Sequence, residues 1–320
     1  MTATEFMSGK REIFGIGKES SYGGAVSPTI RLGINAEFTP NNENDWQETR
    51  GAGTDTLEQT YQIGNKTVGG TLKFVPNDWM MLVFAIGKTT NTGSAPTTHT
   101  FGNNTDFSLY SFTLERAIQA TTDRVRTYEG CQCNRFTIEW AASASTGGMG
   151  NFITCSMDLM AENVTNGTST TDLVAPTYAG WQARNVVLTL NTTAKANLIR
   201  GRIVIDNHLS DGRYAYYSAN SRYKGESQPQ YRTTTGEFVL HYTDDTEFDF
   251  FDAGTVIGGT NTIVFNRGTN DTLTGTFTNL RIVSASDPTT LDGFNQVTLR
   301  WIADSVAWVC VDTNNQTYIV

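Results

Sequence analysis

The longest unbroken apolar run in the chain is eight residues, Trp79 to Ile86. A membrane-spanning helix needs about 20. A helical bundle needs apolar residues recurring every three to four positions over long stretches. The chain has neither pattern. What recurs is short alternation: Ile30, Leu32, Ile34, Ala36 and Phe38 stand against polar or small neighbours, the period of a half-buried strand. Composition points the same way, with 30 glycines and only 17% charged residues among 320, which suits many short strands joined by polar turns. Aromatics at 11% supply a core that a disordered chain would lack. The expected fold is mainly β.

The net charge is −9. Up to residue 180 there are 12 basic and 18 acidic residues, and after it 11 and 14, so the halves carry −6 and −3. Neither is a basic module, which argues against a conventional DNA- or RNA-binding domain. Four cysteines are too few for a disulfide scaffold of this size. The N-terminal MTATEFMSGKREIFGIG lacks the apolar core of a signal peptide, so a product with reduced cysteines, made without secretion, is expected.

Residues 1–28 read as a polar arm. Residues 30–65 read as two strands joined by a long loop over 39–56 that contains Trp46; loops of such length are commonly functional. The clearest helix follows. Asn77 can cap it, Asp78 to Ile86 run without a breaker, and Gly87 ends it. It would be about 14 Å long and is apolar on nearly every side, so it should be buried against a sheet or a neighbouring subunit.

The same order returns later. Adding 167 carries Gly69, Asp78, Phe84 and Gly87 onto Gly236, Asp245, Phe251 and Gly254. Asp244, with Glu247 three residues on, suggests a capping box for the second helix. A further pair, residues 152–162 and 294–304, matches at an offset of 142, so the first half holds 167 − 142 = 25 extra residues between helix and strand. The chain reads as a tandem duplication of a β-rich unit with one helix: units over 29–163 and 186–320, joined by a linker over 164–185 that is rich in Thr, Ser, Asn and Gly as far as residue 180.

Residues able to do chemistry are sparse. His99, His208 and His241 are not spaced as metal pairs. Cys131 and Cys133, with Cys155 on a neighbouring strand, lack a fourth zinc ligand. Gly15-Ile-Gly-Lys-Glu19 fails the phosphate-loop pattern, and there is no G-x-S-x-G elbow. No catalytic, cofactor-binding or metal-binding residue is expected. The cluster containing Arg213, Tyr214, Tyr217, Arg222, Tyr223, Tyr231 and Arg232 has the residue types of single-strand binding sites and of protein interfaces; the acidic surroundings favour an interface.

Several segments together resemble the tail tube proteins of long-tailed viruses. They are Gly17-Lys-Glu-Ser-Ser-Tyr-Gly23, Pro28, Val68-Gly-Gly-Thr-Leu-Lys-Phe74, Gly130-Cys131, Asn134-Arg-Phe-Thr-Ile138 and Met157-Asp-Leu-Met-Ala-Glu162. The resemblance implies tandem β-sandwich or barrel units, each with one short flanking helix, whose inner strands form a continuous tube with neighbours. It implies a non-enzymatic virion protein that stacks as rings and conducts the genome, assembled in the host cytoplasm. Its partners would be copies of itself, in trimeric pseudo-hexameric or hexameric rings, with tape-measure, baseplate and tail-terminator proteins. Duplex DNA would pass an acidic lumen without specific binding, and no membrane or cofactor is called for. Ring-to-ring contacts are expected from the arm and from the excursions at 39–56 and 206–234. Subunit-contact candidates are Tyr22, Trp46, Arg50, Trp79, Arg213, Tyr214, Tyr217 and Tyr223. The alternative from the residues alone is a glycan-binding or adhesin-like β protein of a virion or cell surface, using its Tyr- and Trp-containing loops.

Overall fold

The structure, a computed structural model, describes residues 12–50, 59–94, 96–118, 124–141, 152–167, 173, 179–210, 224–243, 245–286 and 295–313. The first half contributes β1 (Glu12–Lys18), β2 (Ile30–Arg31), β3 (Ile34–Pro40), β4 (Glu43–Arg50), β5 (Gln59–Val75), α1 (Met81–Ile86), β6 (Lys88–Thr92), β7 (Thr97–Gly102), β8 (Phe112–Ile118), β9 (Arg124–Ala141), β10 (Thr154–Ala161) and β11 (Asn163–Gly167). The second contributes β12 (Val186–Leu190), β13 (Thr193–Lys195), β14 (Leu198–Asp206), β15 (Thr233–His241), α2 (Thr246–Asp252), β16 (Thr262–Gly268), β17 (Asp271–Thr278), β18 (Arg281–Ser286), β19 (Gln296–Ala303) and β20 (Ser305–Asp312).

One sheet runs β18-β19-β15-β14-β9-β10-β5-β3, antiparallel throughout. A second runs β13-β12-β16-β17-β20-β7-β6. The strands β2-β1-β8 and β11 attach to the N-terminal part of β9. The eight-stranded sheet divides into two quartets of the same order: β18-β19-β15-β14 and then β9-β10-β5-β3. Even the irregularities recur. β10 is bulged against β9 between Asp158 and Leu159, and β19 against β18 opposite Arg300 and Trp301, each 142 positions on.

Between the layers lies a chain of aromatic contacts crossing both halves. Trp79 packs on Trp181 and Phe265, Phe265 on Trp140 and Trp308, and Phe238 on Trp301 and Phe277. Edge-to-face and tilted pairs of this kind add about 0.5–1.5 kcal/mol each beyond area burial.

Several expectations change in the structure. Residues 12–18, read as arm, form β1 against β8 with Phe14 and Ile16 buried; their alternation was masked by Gly15 and Gly17, whose Cβ atoms would meet Pro28 and Val26. The supposed loop over 39–56 holds β4, which pairs with the first part of β5, so β3 and β4 together flank the whole of that 17-residue strand. The helix α1 is six residues long, its first turn displaced because Asp78 Oδ1 accepts from the Met80 N–H. All six are buried within the chain itself, so no neighbouring subunit is needed to cover them. In α2 the Glu247 carboxylate is buried and paired with Lys195 Nζ at 3.0 Å, with no capping bond at Asp245; Asp244 lies outside the described residues. At the start and end of the linker, Val164–Gly167 belong to β11 and Trp181 is fully buried.

Part of the first half's surplus is the β6–β7 hairpin. The β6–β7 hairpin adds to β20 of the second half, Thr97 opposite Asp312 and His99 opposite Cys310. His99 Nε2 lies 3.2 Å from Asp312 Oδ2 and its Nδ1 2.6 Å from Asn91 Oδ1, with His99 and Asp312 both inaccessible to solvent.

Candidate assembly surface

Three of the segments quoted above meet at one point. Glu19 is buried, and its carboxylate accepts from Gly130 N–H at 2.9 Å, Thr113 Oγ1 at 2.9 Å and Gly23 N–H at 3.1 Å. Gly23 and Gly130 have φ of 71° and 66°. A Cβ on Gly23 would stand 1.6 Å from Glu162 Oε2, and one on Gly130 2.8 Å from Glu162 Cβ. Glycine is required at both on conformation and on space. Burial, with Glu129 and Glu19 nearby, holds the Glu162 carboxyl above the usual carboxylate range. Burial pushes the Tyr22 hydroxyl up as well, and it donates to the Lys224 carbonyl at 3.5 Å. The point is thus a joint: the N-terminal segment, β9 and β10 receive a strap from the second half.

That strap is the excursion between β14 and β15. Asn207 Nδ2 donates to the carbonyls of Ala85 and Cys133, both at 3.0 Å. Leu209 N–H donates to Asn134 Oδ1 at 2.9 Å, Ser227 N–H to Gln132 Oε1 at 2.9 Å, and Lys224 Nζ lies 3.4 Å from Met160 Sδ. Arg232 spends its guanidinium inside the chain, on Ile86 O at 3.0 Å, on Asn207 Oδ1 at 2.6 Å and on Asn103. It satisfies a carbonyl at the end of α1 that the helix leaves unpaired.

The outer face of the eight-stranded sheet is polar and open. At the β14–β9 joint, Arg135 Nη2 meets Asp206 Oδ2 at 2.7 Å and Arg202 Nε meets Glu139 Oε1 at 3.2 Å. Further along the sheet, Arg281 meets Asp304 at 3.0 Å. Burial alone would raise the Asp206 carboxyl, but hydrogen bonds from Arg135 and the His208 N–H bring it below the usual range. Exposed pairs of this sort contribute about 0–1 kcal/mol, so their main effect is to neutralise arginines on a surface otherwise attractive to phosphate. Sequence reading missed them because the partners lie on strands 71 and 63 positions apart (206 − 135 and 202 − 139).

Of the contact candidates, Trp46 is 56% exposed on β4 and Arg50 ends that strand. Tyr22 is half-buried at the joint. Trp79 is in the core at 1% exposure, which removes it as a surface contact. Arg213, Tyr214, Tyr217 and Tyr223 lie outside the described residues. Tyr231, from the same cluster, is exposed and stacks on His208 at 4.0 Å between centroids. With Phe107 it flanks a cleft of about 530 Å³ floored by Phe101 and Trp308.

Among the described residues no three His, Cys, Asp or Glu side chains are grouped to hold a metal ion, and no helix is long and apolar enough to cross a membrane. The four cysteines are buried and joined in no disulfide; burial pushes the thiols of Cys131, Cys133 and Cys155 up. The native protein should therefore leave a thiol-reactive dye unconsumed at pH 8 over minutes and titrate four thiols once denatured. Rapid reaction of the native form would contradict this packing.

Among the described residues, the eight-stranded path ends on β18 and β3 and carries a charge-paired face. The chain belongs to the phage tail tube protein family, which matches residues 9–307. It is a structural protein of the virion. A chain from the virion of a native gene transfer agent particle is similar at 12% identity, over 40% of this chain and 97% of that one, with a TM-score of 0.31. No curated protein matches it.

Proposed function

We propose that this tail tube protein closes into rings by pairing β3 of one copy with β18 of the next, and that the rings stack into the tube that conducts the viral genome. The observation carrying this is the joint inside the chain. There β14 pairs with β9, and these strands hold in their quartets the places that β3 and β18 hold in theirs. Each copy therefore ends on the edges that its own two halves use to meet. Open edges are templates for further pairing. Eight alternating strands per copy keep the pattern antiparallel around a ring of any size.

Strand spacing of about 4.8 Å and a tilt of about 40° give three copies a backbone diameter of about 50 Å, and six copies about 100 Å. Three copies suffice for a duplex, which favours a trimer with pseudo-sixfold symmetry. The two tube units would then be the quartets with their covering strands, the first beginning at β1, joined through 164–185. The open face lines the lumen, its paired arginines giving phosphate little to hold. Tape-measure, baseplate and terminator proteins complete the tail at its ends.

Negative-stain electron microscopy of the concentrated protein tests this. Rings or hollow filaments with threefold symmetry are expected. Compact single particles at every concentration, together with binding on a glycan array, would instead favour a surface lectin.

A further inference from the structure

We infer that the projecting β4–β5 hairpin of one copy seats laterally on α2, β18 and β19 of the next copy in the same ring, with Trp46 entering against Val283. This rests on the ring reading above. It differs from a contact between stacked rings, the role expected for this excursion from sequence.

Positions in one half transfer onto the other strand by strand. β10 and β19 differ by 142, and Asp158 pairs Arg135 where Arg300 pairs Ser284, so β9 maps onto β18 by adding 149 (284 − 135). Met160 pairs Gly69 where Ile302 pairs Thr235, so β5 maps onto β15 by adding 166 (235 − 69). Thr71 pairs Thr39 where Glu237 pairs Arg202, so β3 maps onto β14 by adding 163 (202 − 39). Within the chain, Leu209 is 6% exposed and its N–H is held by Asn134. Subtracting 163 from 209 gives Trp46; adding 149 to 134 gives Val283. These are 56% and 50% exposed. A buried contact at the inner joint thus corresponds to two large exposed apolar side chains on opposite sides of the molecule.

The surroundings follow the same map. Met160, under Lys224, corresponds to Ile302, which is exposed. Phe251 and Val256, at and just beyond the end of α2, are exposed where the end of α1 is covered by Asn207 and Arg232. Asn207 itself maps onto Asn44 (207 − 163), an asparagine in both halves, and its acceptor Cys133 onto Ile282 (133 + 149). The second half's excursion lies back over the first half. The first half's excursion has no third unit in the chain to lie on, and the next copy supplies one. Uncovered apolar groups of this size mark an interface.

The test is a double cysteine variant, Trp46→Cys with Val283→Cys, assembled and then oxidised. The four native thiols are buried and do not compete. A non-reducing gel should show a ladder of linked copies ending at the ring number, absent from either single variant. Assembled tubes without that ladder overturn the seat. A second variant, Trp46→Glu, separates the two placements by microscopy: loss of rings and tubes together supports the lateral seat, whereas intact but unstacked rings overturn it. Wild-type protein that forms no rings at all would remove the ring reading itself, a distinct outcome.

Discussion

Replacing His99 by leucine is expected to destabilise the fold by about 1–3 kcal/mol, the range for leaving a buried polar group short of a hydrogen-bonding contact. The imidazole bridges Asn91 on β6 and Asp312 on β20, so it fastens the first half's extra hairpin to the last described strand of the second. Leucine nearly matches the volume of histidine, so a cavity is not the cause of the loss. What is lost is a polar contact between two side chains that have no access to water. A second substitution, Asp312→Leu, should recover part of the deficit, because it removes the buried polar group that lost its contact with the imidazole. Urea unfolding measures both, with the midpoint falling while the slope is unchanged. A loss under about 1 kcal/mol for the single variant would mean that strand pairing alone holds the hairpin.

The double variant Asp206→Asn with Glu139→Gln should turn the open sheet face into a DNA-binding one. Arg135 and Arg202 keep their positions on β9 and β14 but lose the carboxylates 2.7 and 3.2 Å away. In the proposed ring of three copies, six uncovered guanidiniums would share one lumen. For six to ten phosphate contacts, affinity changes by about 10³ to 10⁵ between 50 and 200 mM salt. Fluorescence anisotropy with a short duplex should accordingly show strong binding at low salt that vanishes as salt rises, and the wild type none. Because the Asp206 carboxyl lies below its usual range, the wild-type pair should persist as pH falls to about 4. An unchanged affinity in the variant would show that the ion pairs are not what keeps the face inert.

The legible and illegible parts of the fold differ for physical reasons. β10 and β19 were readable because each buries every second residue on one face; their ends, Thr154–Ala161 and Gln296–Ala303, agree with the offset of 142 at both termini. The helix α1 was readable from its apolar run and Gly87, which takes φ of 135° after it. β4 was not, because Glu43, Asn44, Asp45 and Trp46 are all exposed and impose no period. A surplus in the first half was visible from sequence, but its destination was not, since β7 finds its partner in β20. The candidate residues fared unevenly for a related cause. Trp79 and Trp46 are the same residue type, and only the packing of Trp181 and Phe265 distinguishes the buried one from the exposed one. Glu19 stood inside a quoted motif, but its role depends on Thr113 and Gly130, about a hundred positions away.

The partnership of β7 with β20 also sets a clock. His99 and Asp312 are 213 positions apart (312 − 99). At about 5–20 residues per second, a ribosome leaves the hairpin waiting some 10–40 s before its partner strand exists. For that interval the flank of β7 is an unpaired strand edge in the crowded cytoplasm, and the second half's excursion has yet to cover the end of α1. Closure of so long a loop is slow and comes late. Premature association between nascent chains is therefore the hazard this topology creates, and carrying both strand quartets in one polypeptide adds to the delay.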